Sequence, residues 1–201
     1  MGIAVWIAIF LLTVSVHEIS HGYVAYACGD PTAKQAGRLT LNPLRHIDWF
    51  WTIVFPCLLY FTTAGHFAFG MAKPVPVDFS KLRRPKRDMI WVASAGCIAN
   101  FALAVTLNLL FRFTGYTIFL YAIYFNLGLA VFNLIPLPPL DGSRILAGCM
   151  PVQWARRFLK IEPYGFVIIL FLYLSGGLFY FIIPGINLFC RMLDVPLLRL
   201  N

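Results

Sequence analysis

The sequence predicts an all-α polytopic membrane protein, and three observations carry that prediction. Of 201 residues, 60% are hydrophobic and 12% charged, and the mean hydropathy is +0.79. A soluble domain of this size needs far less apolar material. Apolar runs of about 20 residues recur, the length of helix that crosses a hydrocarbon core roughly 30 Å thick. Short polar stretches rich in Lys and Arg separate them, as in cytoplasmic loops. The net charge of +8 therefore reads as membrane orientation, with no nucleic acid expected as a partner. One integral-membrane domain over residues 1–201 accounts for the chain.

In order, the first span covers about 3–28 and stops at Gly29-Asp30-Pro31, a helix-ending signal. It has no basic start, so it reads as a retained span rather than a cleaved signal. Leu39 and Leu41 then alternate with Arg38, Thr40 and Asn42, which predicts a short strand in a β-hairpin-like loop. The next apolar run, within 49–65, is short for a span and carries Pro56 at its middle, so it is expected to dip in and return. Lys81, Arg83, Arg84, Lys86 and Arg87 read as a cytoplasmic anchor on anionic headgroups. Spans follow at about 89–111, with Gly96 and Asn100 inside it, and at about 116–135. The second carries Asn126 and Asn133 near one face. After Pro136-Leu137-Pro138-Pro139-Leu140-Asp141-Gly142 comes a basic amphipathic stretch, then a fourth span at about 164–183, where Ser175, Gly176 and Gly177 permit a kink. The five cysteines show neither a CxxC spacing nor a disulfide framework and read as apolar packing residues.

Chemistry concentrates in His17-Glu18-Ile19-Ser20-His21. Residues four apart on a helix lie nearly above one another, so both imidazoles share a face and Glu18 flanks them. Two neutral imidazoles can hold one Zn²⁺ while the carboxylate handles a water proton. Ionisable groups this deep in a span are expensive and mark function. Asp141 is the best candidate for a third ligand. The prolines before it break the helix, and non-helical backbone at membrane depth is tolerated where it lines a cavity. Gly142 then suits a turn that aims the carboxylate inward.

The segments HEISHGYVAYACGDPTAKQAGRLTLNP (17–43), FGMAKPVPV (69–77), ASAGCIANF (93–101) and FNLIPLPPLDGSRIL (132–146) resemble the site-2 protease family of intramembrane zinc metalloproteases, in particular its compact bacterial and archaeal members. The resemblance covers most of residues 10–150. It implies a zinc-dependent metalloendopeptidase in the cell membrane that cleaves transmembrane protein substrates. It further implies one Zn²⁺ on His17, His21 and Asp141, Glu18 as general base, and Asn133 helping to position substrate or the oxyanion. Cys97 departs from the proline usual in an Ala-Gly-Pro turn, and Trp49 stands where proline is common; neither is a ligand. His46 and His66 are excluded as ligands. The Arg38–Leu41 strand would offer an edge for an extended substrate.

Two other classes fit less well. A membrane metal transporter needs a polar pathway across several spans, whereas the polar groups here gather at one level. A scaffold that only binds membrane helices has no use for Glu18. Topology follows from reach and charge. If 49–65 returns on the side it entered, Asp141 and the HEISH motif meet near one face. All but three of the sixteen Lys and Arg residues (Arg112, Arg191 and Arg199) then share one side, the cytoplasmic one.

Overall fold

The computed structural model describes residues 2–62, 70 and 72–198. The described residues form helices and connecting segments, with no strand among them. Three helices are long and apolar enough to cross a membrane: α1 (Ile3–Ala27), α4 (Pro85–Thr114) and α5 (Thr117–Leu134). Shorter helices are α2 (Thr32–Gln35), α3 (Phe55–Thr62), α6 (Asp141–Cys149) and α7 (Val152–Leu159). The chain closes with α8 (Glu162–Leu174) and α9 (Gly177–Leu193). Apolar side chains such as Leu109, Phe113, Phe171 and Phe181 remain exposed on the outside of these helices, as lipid-facing positions do. The chain is a membrane protein.

Helix α4 is the centre of the bundle, packing against α1, α5 and α6. Its apolar stretch starts at Met89, yet the helix begins four residues earlier. Proline is tolerated in the first turn, and the Asp88 carboxylate caps the Arg84 amide at 2.8 Å. It ends at Gly115, whose positive φ of 68° terminates the helix. One core cluster joins Ala104, Ile123, Leu127, Val131, Ile186 and Cys190 from α4, α5 and α9. Another joins Ala25, Leu82 and Val92.

The stop after α1 forms as expected. Gly29 has φ 109°, and the Asp30 amide donates back to Ala25 O at 2.9 Å. Asp30 is fully buried. It accepts from the Thr32 hydroxyl and amide and, at 2.7 Å, from the Asp78 amide. Burial alone would push its carboxyl up, but these hydrogen bonds and the Lys81 charge outweigh that and hold it below the usual carboxylate range. Asp30 thus staples the 78–81 loop to the end of α1.

Three sequence expectations are revised. The segment around Arg38–Leu41 is not a strand, because its polar backbone groups find partners other than a neighbouring strand. The Arg38 amide donates to Ala33 O at 3.0 Å, and Thr40 O lies 2.8 Å from His46 Nε2. Among the described residues no strand pairs with this segment. The fourth apolar stretch, expected as one span at 164–183 with a kink permitted at 175–177, consists of two helices, α8 and α9, bent by 82°. The bend falls at Gly176, whose φ of 74° lies outside helical space. Helix α9 then continues ten residues beyond the expected end. Finally, Pro56 does not interrupt its apolar run. Residues 49–54 form a π-helical turn in which the Phe55 amide reaches Phe50 O, and α3 follows directly. Residues 63–65 of that run, and His66, lie outside the described residues.

Candidate active site

Helix α1 carries His17 and His21 one turn apart on the face that meets α4, with ring centroids 4.6 Å apart and planes at 83°. Their Nε2 atoms are 3.0 Å from each other. Asp141, the first residue of α6, places Oδ2 3.1 Å from His17 Nε2 and 3.2 Å from His21 Nε2. Among the described residues these three are the group of His, Cys, Asp and Glu side chains able to hold a metal ion. Both histidines are buried.

Three ligand atoms so spaced fit zinc. A tetrahedral ion about 2.0–2.1 Å from each donor leaves the donors roughly 3.3 Å apart, close to the distances found. Second contacts fix the rings as a metal requires. His21 Nδ1 lies 2.7 Å from Val92 O, so Nδ1 holds the proton and Nε2 is free to coordinate. His17 Nδ1 lies 3.4 Å from the side-chain amide of fully buried Asn100. With His17 Nε2 turned to the cluster, Nδ1 carries a proton and needs an acceptor. The Asn100 Oδ1 atom is itself buried and unpartnered. Turning the amide by 180° gives both groups a partner, and that orientation is the chemically consistent one.

Close approach of backbone makes room for this cluster. A Cβ on Gly96 of α4 would stand 2.5 Å from His17 Cε1 and 2.6 Å from His21 Nε2, so only glycine admits the histidine pair there. A Cβ on Gly142 would run into the Leu134 carbonyl. Gly142 therefore does not form the expected turn. It lies inside α6 and lets the start of that helix press against the end of α5, which sets where Asp141 stands. The Cys97 thiol reaches to 4.0 Å from Asp141 Oδ2 from within an uninterrupted α4, so the missing proline leaves the helix straight through.

Glu18 sits at the flank of the cluster, half-buried, its Oε2 accepting from the Val75 amide at 2.7 Å. Asn133 is not gathered into the cluster. Its amide donates to Leu129 O, one turn back on its own helix, at 3.0 Å. His46 lies against Thr40 O in a separate loop. The three residues that the sequence singled out as ligands lie together with Glu18 on their flank, whereas the placement of Gly96, the Val92 carbonyl and the Val75 amide beside them had no signal in the sequence. Asn100 had one legible signal, a carboxamide in the middle of an apolar span. A cavity of about 460 Å³ opens near Arg38, lined also by Arg45, Ile47, Lys73, Pro74 and Pro76.

The profile described as peptidase family M50 matches residues 115–176. YwhC of Bacillus subtilis, which carries the name of a zinc metalloprotease, is 36% identical over 191 residues, covering 88% of this chain and 83% of that protein. Two proteins named as zinc metalloprotease Rip2 are more distant. That of Mycolicibacterium smegmatis is 29% identical over 180 residues and that of Mycobacterium tuberculosis 28% over 179, each covering 86% of this chain and 67% of the relative. No solved structure gives a significant match. On this likeness over nearly its whole length, the chain belongs to peptidase family M50, the site-2 protease family of zinc metalloendopeptidases.

Proposed function

We propose that this chain hydrolyses peptide bonds in or beside the transmembrane segments of other membrane proteins, with His17, His21 and Asp141 holding one zinc ion and Glu18 as the general base. The observation that carries this reading is the meeting of three metal-ligand atoms within 3.0–3.2 Å, between apolar helices and beside a carboxylate. When bound, zinc supplies a Lewis acid that polarises a carbonyl and acidifies water. Glu18 accepts the proton of the attacking water and returns it to the leaving amine. The Val75 amide orients the Glu18 carboxylate, and the Val92 carbonyl keeps His21 in the tautomer that presents Nε2. Asn133, bonded to Leu129 O at rest, is assigned the role of donor to the developing oxyanion.

The topology belongs to the same proposal. The N-terminus is extracytoplasmic, the segment from Trp49 is re-entrant, and the site lies nearer the cytoplasm. The apolar run 49–64 holds 16 residues, about 24 Å as a helix at 1.5 Å per residue, short of a roughly 30 Å core. Cysteine labelling in a background without native cysteines tests it. Probes at Arg45 and Lys81 are expected on the same side, and opposite sides refute the re-entrant arrangement.

The test of the chemistry uses purified protein and a lysine-flanked, leucine- and alanine-rich single-span peptide with Gly-Pro at its centre, in detergent micelles. Glu18→Gln should retain zinc and lose nearly all cleavage. Asp141→Ala should lose both. Near-normal turnover by Glu18→Gln would show that the base lies elsewhere.

A further inference from the structure

The geometry points to Arg38 as a positioning residue that holds the Val75 amide against the Glu18 carboxylate, an inference that rests on Glu18 being the base. It starts from a two-residue device. Helix α2 ends with Gly37 at φ 64°, the Gly37 amide on Lys34 O and the Arg38 amide on Ala33 O, both at 3.0 Å. This left-handed cap turns the chain and sends the Arg38 side chain inward, where the residue is only 8% exposed. Its Nη2 donates to Lys73 O at 2.7 Å and reaches Pro74 O at 3.4 Å. Nε is buried with no partner among the described residues. A guanidinium so deep and so incompletely paired is a poor stabiliser, and such violations of local rules concentrate where function requires them.

The segment it grips is Pro74-Val75-Pro76. Neither proline has an N–H, so Val75 carries the one backbone donor of the three, and that donor goes to Glu18 Oε2 at 2.7 Å. Proline after Lys73 and after Val75 also biases both toward extended backbone. The Pro74 carbonyl and the Val75 amide belong to one peptide unit, which is trans, so they point in opposite directions. Arg38 on the oxygen and Glu18 on the N–H therefore align that peptide dipole between a cation and an anion. The Lys73 amide is pinned in turn to His46 O at 2.9 Å. Val75 is buried, with Gly22 of α1 leaving space for its methyl group and for Leu39. Arg38 thus acts on Glu18 through a peptide, not by direct contact.

The test measures kcat and KM separately on the single-span peptide above, with zinc content alongside. Arg38→Ala should lower kcat about 10- to 100-fold, the scale of a misplaced catalytic group, with KM and zinc within about twofold of wild type. Arg38→Lys, which restores one donor, should recover part of that loss. Val75→Pro deletes the N–H while keeping Arg38 and should reproduce the kcat loss; it decides the matter if Arg38→Ala fails to fold. A raised KM with unchanged kcat in Arg38→Ala would make Arg38 a substrate contact and overturn the inference. So would kcat within about twofold of wild type in Val75→Pro. If Glu18→Gln is inactive while both variants turn over normally, the base stands and the positioning role falls. If Glu18→Gln is itself active, the base assignment fails first.

Discussion

Replacing Gly96 by alanine sets two local rules against each other. In the interior of a helix alanine is favoured over glycine by about 1 kcal/mol, so by propensity Gly96→Ala stabilises α4. The added Cβ, however, would stand 2.5 Å from His17 Cε1, 2.6 Å from His21 Nε2 and 2.7 Å from His17 Nδ1. Carbon contacts settle near 3.5–4.0 Å, so both rings must retreat by about 1 Å. Zinc tolerates donor displacements of only about 0.2 Å. The two histidines supply two of the three proposed ligands, and neither retreats without pulling away from its partner on Val92 or Asn100. We expect zinc affinity to fall at least 100-fold, beyond the 10- to 100-fold typical of losing a supporting contact. Competition against chelators of graded affinity reads the zinc affinity, and thermal unfolding of the chelated protein reads the helix. The gain of about 1 kcal/mol in helix propensity is set against about 1–3 kcal/mol for crowding the rings, so the chelated protein should unfold at or below the wild-type temperature while metal binding weakens far more. Zinc affinity within about threefold of wild type would refute the packing argument and with it the placement of the histidines against α4.

Asn100→Leu keeps the branched heavy-atom outline, though with bulkier methyl groups, and removes the acceptor for His17 Nδ1–H; zinc affinity should drop about 10- to 100-fold while Asn100→Asp, which retains an acceptor, holds it, and equal affinities in chelator competition would exclude the contact. Asp30→Asn should loosen the 78–81 loop, because a neutral amide accepts less strongly from the Asp78 and Thr32 amides; hydrogen exchange over residues 78–83 should rise. The same carboxylate has a folded pKa below its unfolded value. Its stabilisation is therefore complete above an unfolded pKa of about 3.9 and is lost as pH falls through the lower folded value. Wild-type protein should lose loop protection in that acid window and Asp30→Asn should show no such step; matching acid profiles would refute the assignment.

Properties that depend on near neighbours in the chain were determined by the sequence alone. Helical period puts His17 and His21 on one face of α1 whatever surrounds them. Gly29-Asp30-Pro31 ends that helix because its backbone leaves helical space. The length of each apolar run places α1, α4 and α5. The prolines before Asp141 end α5, which made a carboxylate 124 positions from His17 a credible partner. Tertiary structure decided what depends on approach between distant segments. Gly96 matters because two rings of α1 lie against it, and nothing within α4 announces that. Val92 offers a carbonyl and Val75 an amide, groups every residue carries, so their roles exist only once α1 has docked. The alternation at Arg38–Leu41 is a fair strand pattern, yet a strand needs a neighbouring strand, and here the backbone groups at Arg38 and Thr40 are taken by Ala33 and His46. Gly176 permits either a straight helix or a sharp turn, and the packing of α9 against α5 accompanies the turn.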